Sequence, residues 1–314
     1  MKNLELIIPF CIPPVGLEKD LLRELRTPSL ARLIAAAGKP RLQMAEDFAR
    51  ALPHEYWQTG QFPPLPDANS PPLTWNRMRD IGLDPQQGHW FTMQPVHIHI
   101  ARDHLVLTDQ RRLDLPEEEA RVLFDIAQEA CREAQLELRY GNAQTWFLRA
   151  DAWSDLQTAT SDVACGHNID IWMPKGEYER QWRKLQNEIQ MSWFAHEINH
   201  RREMRGDKPV NSVWLSGGAS GFQQNNVQAS SIHLDLLSEA AINNDWGHWL
   251  HQMQILEDEH FSTQLQALQN KQISQLDLLV SDTQRLARFS VTRWGLRRFW
   301  VKPSLHTLFT LPSS

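Results

Sequence analysis

Two periods organise the apolar residues of this chain, 3.6 in some stretches and 2 in others, and each predicts an element. Glu18 to Leu25 has helical spacing, and Thr27-Pro28 reads as an N-cap and first-turn proline for a second helix through Ala37. Pro116 to Ala134 predicts a strong helix. A proline and three glutamates occupy its first turn, where they complement the dipole, and Leu123, Ile126, Ala130 and Ala134 line one face. A helix from about Glu177 carries Trp182, Leu185, Ile189 and Trp193 on one face, and a long one from Trp246 to about Leu268 turns Leu250, Met253, Leu256, Phe261 and Leu265 inward. Leu4 to Phe10 and Leu276 to Val280 read as strands. PVHIHI and HLVLT, within Met93 to Thr108, flank Ala101-Arg102-Asp103 as a hairpin or sharp bend, and Leu136 to Tyr140 and Thr145 to Leu148 flank the turn pair Gly141-Asn142. Val291 to Val301 reads as a short terminal helix. Pro53 to Pro72 carries six prolines and predicts a surface loop around a short element, and with it an internal boundary.

This order of elements predicts an α/β protein with a mixed sheet flanked by helices. The helix Pro116 to Ala134 and the hairpin after it together suggest a small α+β subdomain. At 314 residues and 41% hydrophobic, the chain is long enough for real cores. The net charge of −6, with both signs mixed, marks no global nucleic-acid or membrane binder. No membrane-length apolar run or signal-peptide plan is seen, so a cytoplasmic location is expected. Cys11, Cys131 and Cys165, odd in number and far apart, suit a reducing compartment. Thirteen tryptophans against three tyrosines predict rings used mainly as packing.

The stretch Asn187 to Gly218, NEIQMSWFAHEINHRREMRGDKPVNSVWLSGG, runs from helical spacing through the breaker Arg-Gly-Asp-Lys-Pro into a β-type run, Val210 to Leu215, that ends in Ser216-Gly217-Gly218. A helix, a turn and a buried strand thus deliver a glycine pair to a strand end, a usual place for ligands in α/β proteins. With LIIPFCIPP, TPSLARLIAAAG, HWFTMQPVHIHIARDHLVL, DLPEEEARVL, DWGHWLHQMQILEDEHFSTQLQAL and RWGLRRFW, it resembles the RpfE-type regulatory protein family over most of the chain. Residues 109–218 also resemble the archaeal-type cofactor-independent phosphoglycerate mutases of the alkaline phosphatase-like superfamily, with Asn211-x-x-Trp214-x-x-Gly217 matching their pattern. That resemblance implies a degenerate alkaline-phosphatase-like core in two parts, residues 1–108 and 156–314, with 109–155 as a small α+β insert.

In the mutases, two divalent metals such as manganese, held by aspartates and histidines, work beside a serine that is phosphorylated in turn. An acidic ligand normally ends the first strand. Here Leu6-Ile7-Ile8-Pro9-Phe10 carries none, the late Asp-His pair is missing, and the phosphate-gripping arginines are echoed only by Arg111 and Arg112. The resemblance therefore implies a retained frame without the metal set.

Three constellations remain. His97, His99, Asp103 and His104 resemble the His-x-His-x-Asp-His pattern of metal-dependent hydrolases with the spacing two residues too long, or else they decorate a half-buried strand and its turn. Asn199, Arg201, Arg202 and Asn211, with Gly217 and Gly218, offer guanidinium forks and backbone N–H groups for an anion pocket, or else tie down backbone and complement a helix C-terminus. Arg285, Arg288, Arg293, Arg297, Arg298 and Lys302, interleaved with Phe289, Trp294, Phe299 and Trp300, suit a nucleic-acid or acidic partner, or a solvated face. Glu257, Asp258, Glu259 and His260 spread over different helix faces and do not form one site.

The leading expectation is a non-catalytic regulatory or ligand-binding protein, without cofactor, that takes a phosphorylated small molecule. The alternatives are an active phosphomutase or phosphatase with substituted metal ligands, and an interaction module acting through the basic segment Arg285 to Lys302.

Overall fold

The computed structural model describes residues 2–64, 68–85, 87–222, 231–297 and 301–312. The strands are β1 (Lys2–Ile8), β2 (Arg41–Met44), β3 (Trp90–Val96), β4 (Ile98–Ala101), β5 (His104–Leu107), β6 (Glu137–Asn142), β7 (Thr145–Arg149), β8 (Ser212–Ala219), β9 (Ser231–His233), β10 (Ile273–Ser281) and β11 (Arg285–Thr292). Two compact units divide the chain. One comprises Met1–Asp47, Leu52–Pro66 and Asn225–Ser314, the other Phe48–Ala51 and Asp67–Gln224.

The first unit is built on a mixed five-stranded sheet in the order β2-β11-β10-β1-β9. β1 runs parallel to both β10 and β9, and its Leu6, Ile7 and Ile8 are all buried, the continuous apolar run expected of a strand covered on both faces. β10 and β11 form an antiparallel hairpin, and β2 adds to β11. The helices Pro28–Ala37, Pro53–Gln58 and Ser262–Gln269 pack on this sheet. The predicted long helix forms as Trp246–Leu256 and Ser262–Gln269 joined by a π turn, Glu257–Phe261. Trp249, Met253, Leu256, Phe261 and Leu265 are buried along it.

Two expectations need correction here. The proline-rich stretch does not begin as a surface loop, because Pro53, His54, Glu55 and Tyr56 are buried on a helix against β10 and β11. Val291 to Val301 is not one helix, because the β-branched and aromatic residues of Arg285–Thr292 pair as β11 and, among the described residues of that stretch, only Arg293–Leu296 is helical.

The second unit carries the antiparallel sheet β6-β7-β3-β8, overlain by the helices Glu117–Glu133 and Glu179–Phe194. Leu123, Trp146, Trp182, Leu185, Ile189 and Trp193 form its core, as the helical spacing predicted. The stretch 109–155 supplies a helix, β6 and β7, which share their sheet with β3 and β8. Gly141 lies within β6, where a Cβ would come 2.6 Å from the Thr145 carbonyl, and the hairpin turns at Ala143-Gln144 rather than at Gly141-Asn142. The separate β4–β5 hairpin turns at Arg102, with φ 59°. Among the described residues no helix is long and apolar enough to cross a membrane.

Candidate functional site

The residues singled out around β8 do not meet in one place. Asn211 stands just before the strand and Gly217 six residues on, a span of about 20 Å in extended chain. At the first end each polar side chain serves the backbone. Asn199 Nδ2 donates to the carbonyls of Trp193 and Val210 (2.9 and 2.8 Å) while its Oδ1 accepts from Val210 N–H (2.8 Å). Asn211 makes the same two-way bond to Ile98, at 2.8 and 2.7 Å, and so holds the end of β8 to the start of β4.

Arg202 is fully buried. Its Nε donates to the Lys208 carbonyl (2.8 Å), and the other nitrogens reach the Asp114 carbonyl, Glu119 Oε2 (2.7 Å) and the Leu113 carbonyl. Burial pushes the Glu119 carboxyl up, but bonds from Arg202 and Arg205 outweigh it and hold it below its ordinary range. Arg201 is exposed and faces Glu197 at 3.8 Å.

At the far end Gly217 is held by hydroxyls. Gly217 N–H donates to Ser70 Oγ (2.9 Å) and its carbonyl accepts from Thr74 Oγ1 (2.7 Å), which also meets Thr92. Gly217 has φ 70°, a left-handed conformation that suits glycine. A Cβ on Gly218 would lie 2.6 Å from His89 Nε2 and from Phe91, so close packing accounts for glycine there. His89, which sequence reading passed over, meets Ser220 Oγ through Nδ1 at 2.7 Å, and burial lowers its pKa. Its Nε2 is buried without a partner among the described residues, so none of them orients the imidazole as a base.

His97 and His99 stack at 6.0 Å. His97 Nδ1 meets the Pro209 carbonyl at 2.8 Å, and burial lowers its pKa, whereas His104 pairs with Asp103 at the hairpin tip at 3.0 Å. Among the described residues no group of three or more His, Cys, Asp or Glu is placed to hold a metal ion. Burial pushes the thiols of Cys11, Cys131 and Cys165 up to about 12, so they stay protonated at neutral pH.

The basic segment is not one continuous surface. Arg285 is buried and bonds to Asp282 (2.6 Å) and the Leu311 carbonyl (2.9 Å), Arg288 bonds to Asp277 inside the sheet (2.7 Å), and Phe289 is core. Arg297 sits 4.4 Å over the exposed Trp294 ring, and Lys302 is exposed. Arg298, Phe299 and Trp300 lie outside the described residues.

A different grouping forms where β1, β9 and β10 end in the first unit, and sequence reading did not find it. The parallel pairing of β1 with both neighbours brings His233, the last residue of β9, and Ser281, the last of β10, to the same end of the sheet. The buried His54, on the helix Pro53–Gln58, lies with its ring 5.9 Å from that of His233, and its Nδ1 is 3.3 Å from Ser281 Oγ. Gln58, one turn further along that helix, meets His233 Nδ1 at 3.0 Å. The carboxylates at these strand ends cap local turns: Asp282 accepts from the N–H groups of Gln284 and Arg285 and from Arg285 Nε, and Asp235 accepts from Ser238 Oγ. In open α/β sheets the carboxyl ends of parallel strands are where ligands bind.

These features define a mixed α/β protein with a polar strand-end grouping in one of its two units. Two solved structures are similar to the chain. One is the cofactor-independent phosphoglycerate mutase from Thermoplasma acidophilum, with a TM-score of 0.39 and 10% identity, covering 100% of this chain and 96% of that one. The other is the PH0037 protein from Pyrococcus horikoshii, with a TM-score of 0.48 and 11% identity, covering 92% of this chain and 87% of that one. No family model and no curated protein sequence matches the chain, and the RpfE-type resemblance has no counterpart among these findings.

Proposed function

We propose that the chain is a non-catalytic ligand-binding or regulatory protein on a phosphoglycerate mutase-like scaffold, and that it takes a small phosphorylated anion at the carboxyl ends of β1, β9 and β10. The grouping of His54, His233, Ser281 and Gln58 supports this reading. Imidazole N–H, hydroxyl and amide groups donate to anionic oxygens. Of the nearby carboxylates, which would repel an anion, Asp282 is paired with the Arg285 guanidinium at 2.6 Å, and Asp235 accepts from Ser238 Oγ. Nothing in this grouping needs to change protonation for binding, which suits a sensor better than an acid–base catalyst.

Calorimetric titration with 3-phosphoglycerate and with inorganic phosphate tests the reading, alongside a turnover assay with and without manganese. Saturable binding without turnover is expected, weakened about tenfold by His233→Ala through loss of one hydrogen-bonding partner of the anion. Manganese-dependent turnover that disappears in His99→Ala would instead favour a mutase or phosphatase using His97, His99, Asp103 and His104.

A further inference from the structure

In the second unit the helices Glu117–Glu133 and Glu179–Phe194 lie antiparallel. Trp193, near the end of one, donates Nε1–H to the carbonyl of Leu123, near the start of the other, at 3.1 Å. Between them runs an open groove of about 930 Å³ whose two walls differ in charge. Glu129 and Glu133 line one wall, and Arg180, Arg183 and Lys184 the other, where Glu188 pairs with Lys184 at 3.7 Å and leaves the wall basic through Arg180 and Arg183. Glu133, Arg180 and Arg183 make no ion pair or side-chain hydrogen bond among the described residues. The opposite end of the helix pair is apolar and open: Met191 is 73% exposed, Phe194 81% and Val122 41%. Large apolar side chains so exposed, beside charges without partners, mark a contact surface.

We infer that this face binds a second copy of the chain, in an isologous dimer whose twofold axis runs parallel to the two helices. That operation lays the Glu117 helix of each copy over the Glu179 helix of the other at the same level along the axis. Glu133 then meets Arg180 and Arg183 of the second copy, twice over. The apolar end meets itself, with Met191 and Phe194 against Val122 and Ile126. One acidic wall and one basic wall make the groove complementary to its own copy, so a second molecule of the chain supplies both halves of the contact.

Sedimentation of the full chain over a range of concentrations tests this. The expected species has twice the 36.5 kDa chain mass at high concentration, and it dissociates as salt rises because salt screens the charged contacts. Arg183→Glu places like charges together at two symmetric points and raises the dissociation constant at least about tenfold. The double variant Arg183→Glu with Glu133→Arg recovers at least about threefold of that loss, and not all of it, because Arg180 still carries its positive charge beside position 133. Both positions are exposed, so the fold is kept, and circular dichroism checks that directly. A monomer at every concentration would overturn the inference, and so would a dimer that none of these changes affects.

Discussion

The Glu257 carboxylate caps the helix Pro28–Ala37 from 228 positions away in sequence, accepting from Ser29 N–H at 2.7 Å and, through its other oxygen, from Leu30 N–H at 3.1 Å. Thr27, which its position before Pro28 marks as the N-cap, makes no cap bond, and its hydroxyl is buried without a partner among the described residues. A buried anion on free N–H groups at a helix start satisfies those donors and complements the dipole. Glu257→Ala is therefore expected to cost about 1–3 kcal/mol, and Thr27→Val to be neutral or slightly stabilising. Urea denaturation of the two variants measures both. The reverse ranking would restore Thr27 as the cap.

Arg202 organises the turn between the helix Glu197–Arg205 and β8, because one guanidinium bonds to three carbonyls and Glu119. A lysine has no planar fork to match them. Arg202→Lys should therefore destabilise by about 3–5 kcal/mol, since buried acceptors and a carboxylate lose their partner. Arg201→Lys, at an exposed position, should change stability by less than about 0.5 kcal/mol. Thermal melts of the pair separate a structural arginine from a surface one.

Asp277, buried on β10, gives a pH signature. Burial pushes its carboxyl up, but bonds from Arg288, Ser290 and Gln275 outweigh this and hold it below the usual aspartate range. Glu5 lies in register with it on β1 and is raised by its own burial. A carboxyl depressed in the folded state stabilises it above the unfolded pKa of about 3.9, and that contribution fades as pH falls through the folded value. Asp277→Asn should thus cost about 2–4 kcal/mol at pH 7 and progressively less below about pH 4. A mutational cost that stayed constant over that range would contradict the charge-based account.

Gly218 and Gly221 make a matched pair. A Cβ on Gly218 would collide with His89 and Phe91 at 2.6 Å, whereas a Cβ on Gly221 would meet nothing within 4 Å among the described residues. Gly218→Ala should cost about 1–3 kcal/mol through forced repacking, with Gly221→Ala close to neutral. Equal, small effects would mean that the glycine pair is held open for something other than packing.

The elements that the sequence disclosed are those whose period is local. Trp182, Leu185, Ile189 and Trp193 recur at helical spacing and are buried together, and the three glutamates after Pro116 open a helix. What escaped it depends on distant partners. Glu257 sits in a π turn, and no pattern within the helix shows that its carboxylate will find Ser29. His54, His233 and Ser281 come together only because β1 pairs in parallel with both β9 and β10, a register set by long-range burial. Arg202 was legible as a charge near a helix end, but not as a buried one. Conversely, the glycine pair and Asn211 are close in sequence, and an extended strand separates them. Local spacing exposes helices more readily than it exposes sites assembled across a sheet.

The most direct test of the proposed ligand site is a titration of the fully folded chain with 3-phosphoglycerate, followed by the imidazole nitrogen resonances assigned through single histidine variants. Saturable shifts at His54 and His233, with His97, His99 and His104 unmoved, are the predicted result. Shifts confined to the latter three, or none at any histidine at saturating ligand, would contradict it.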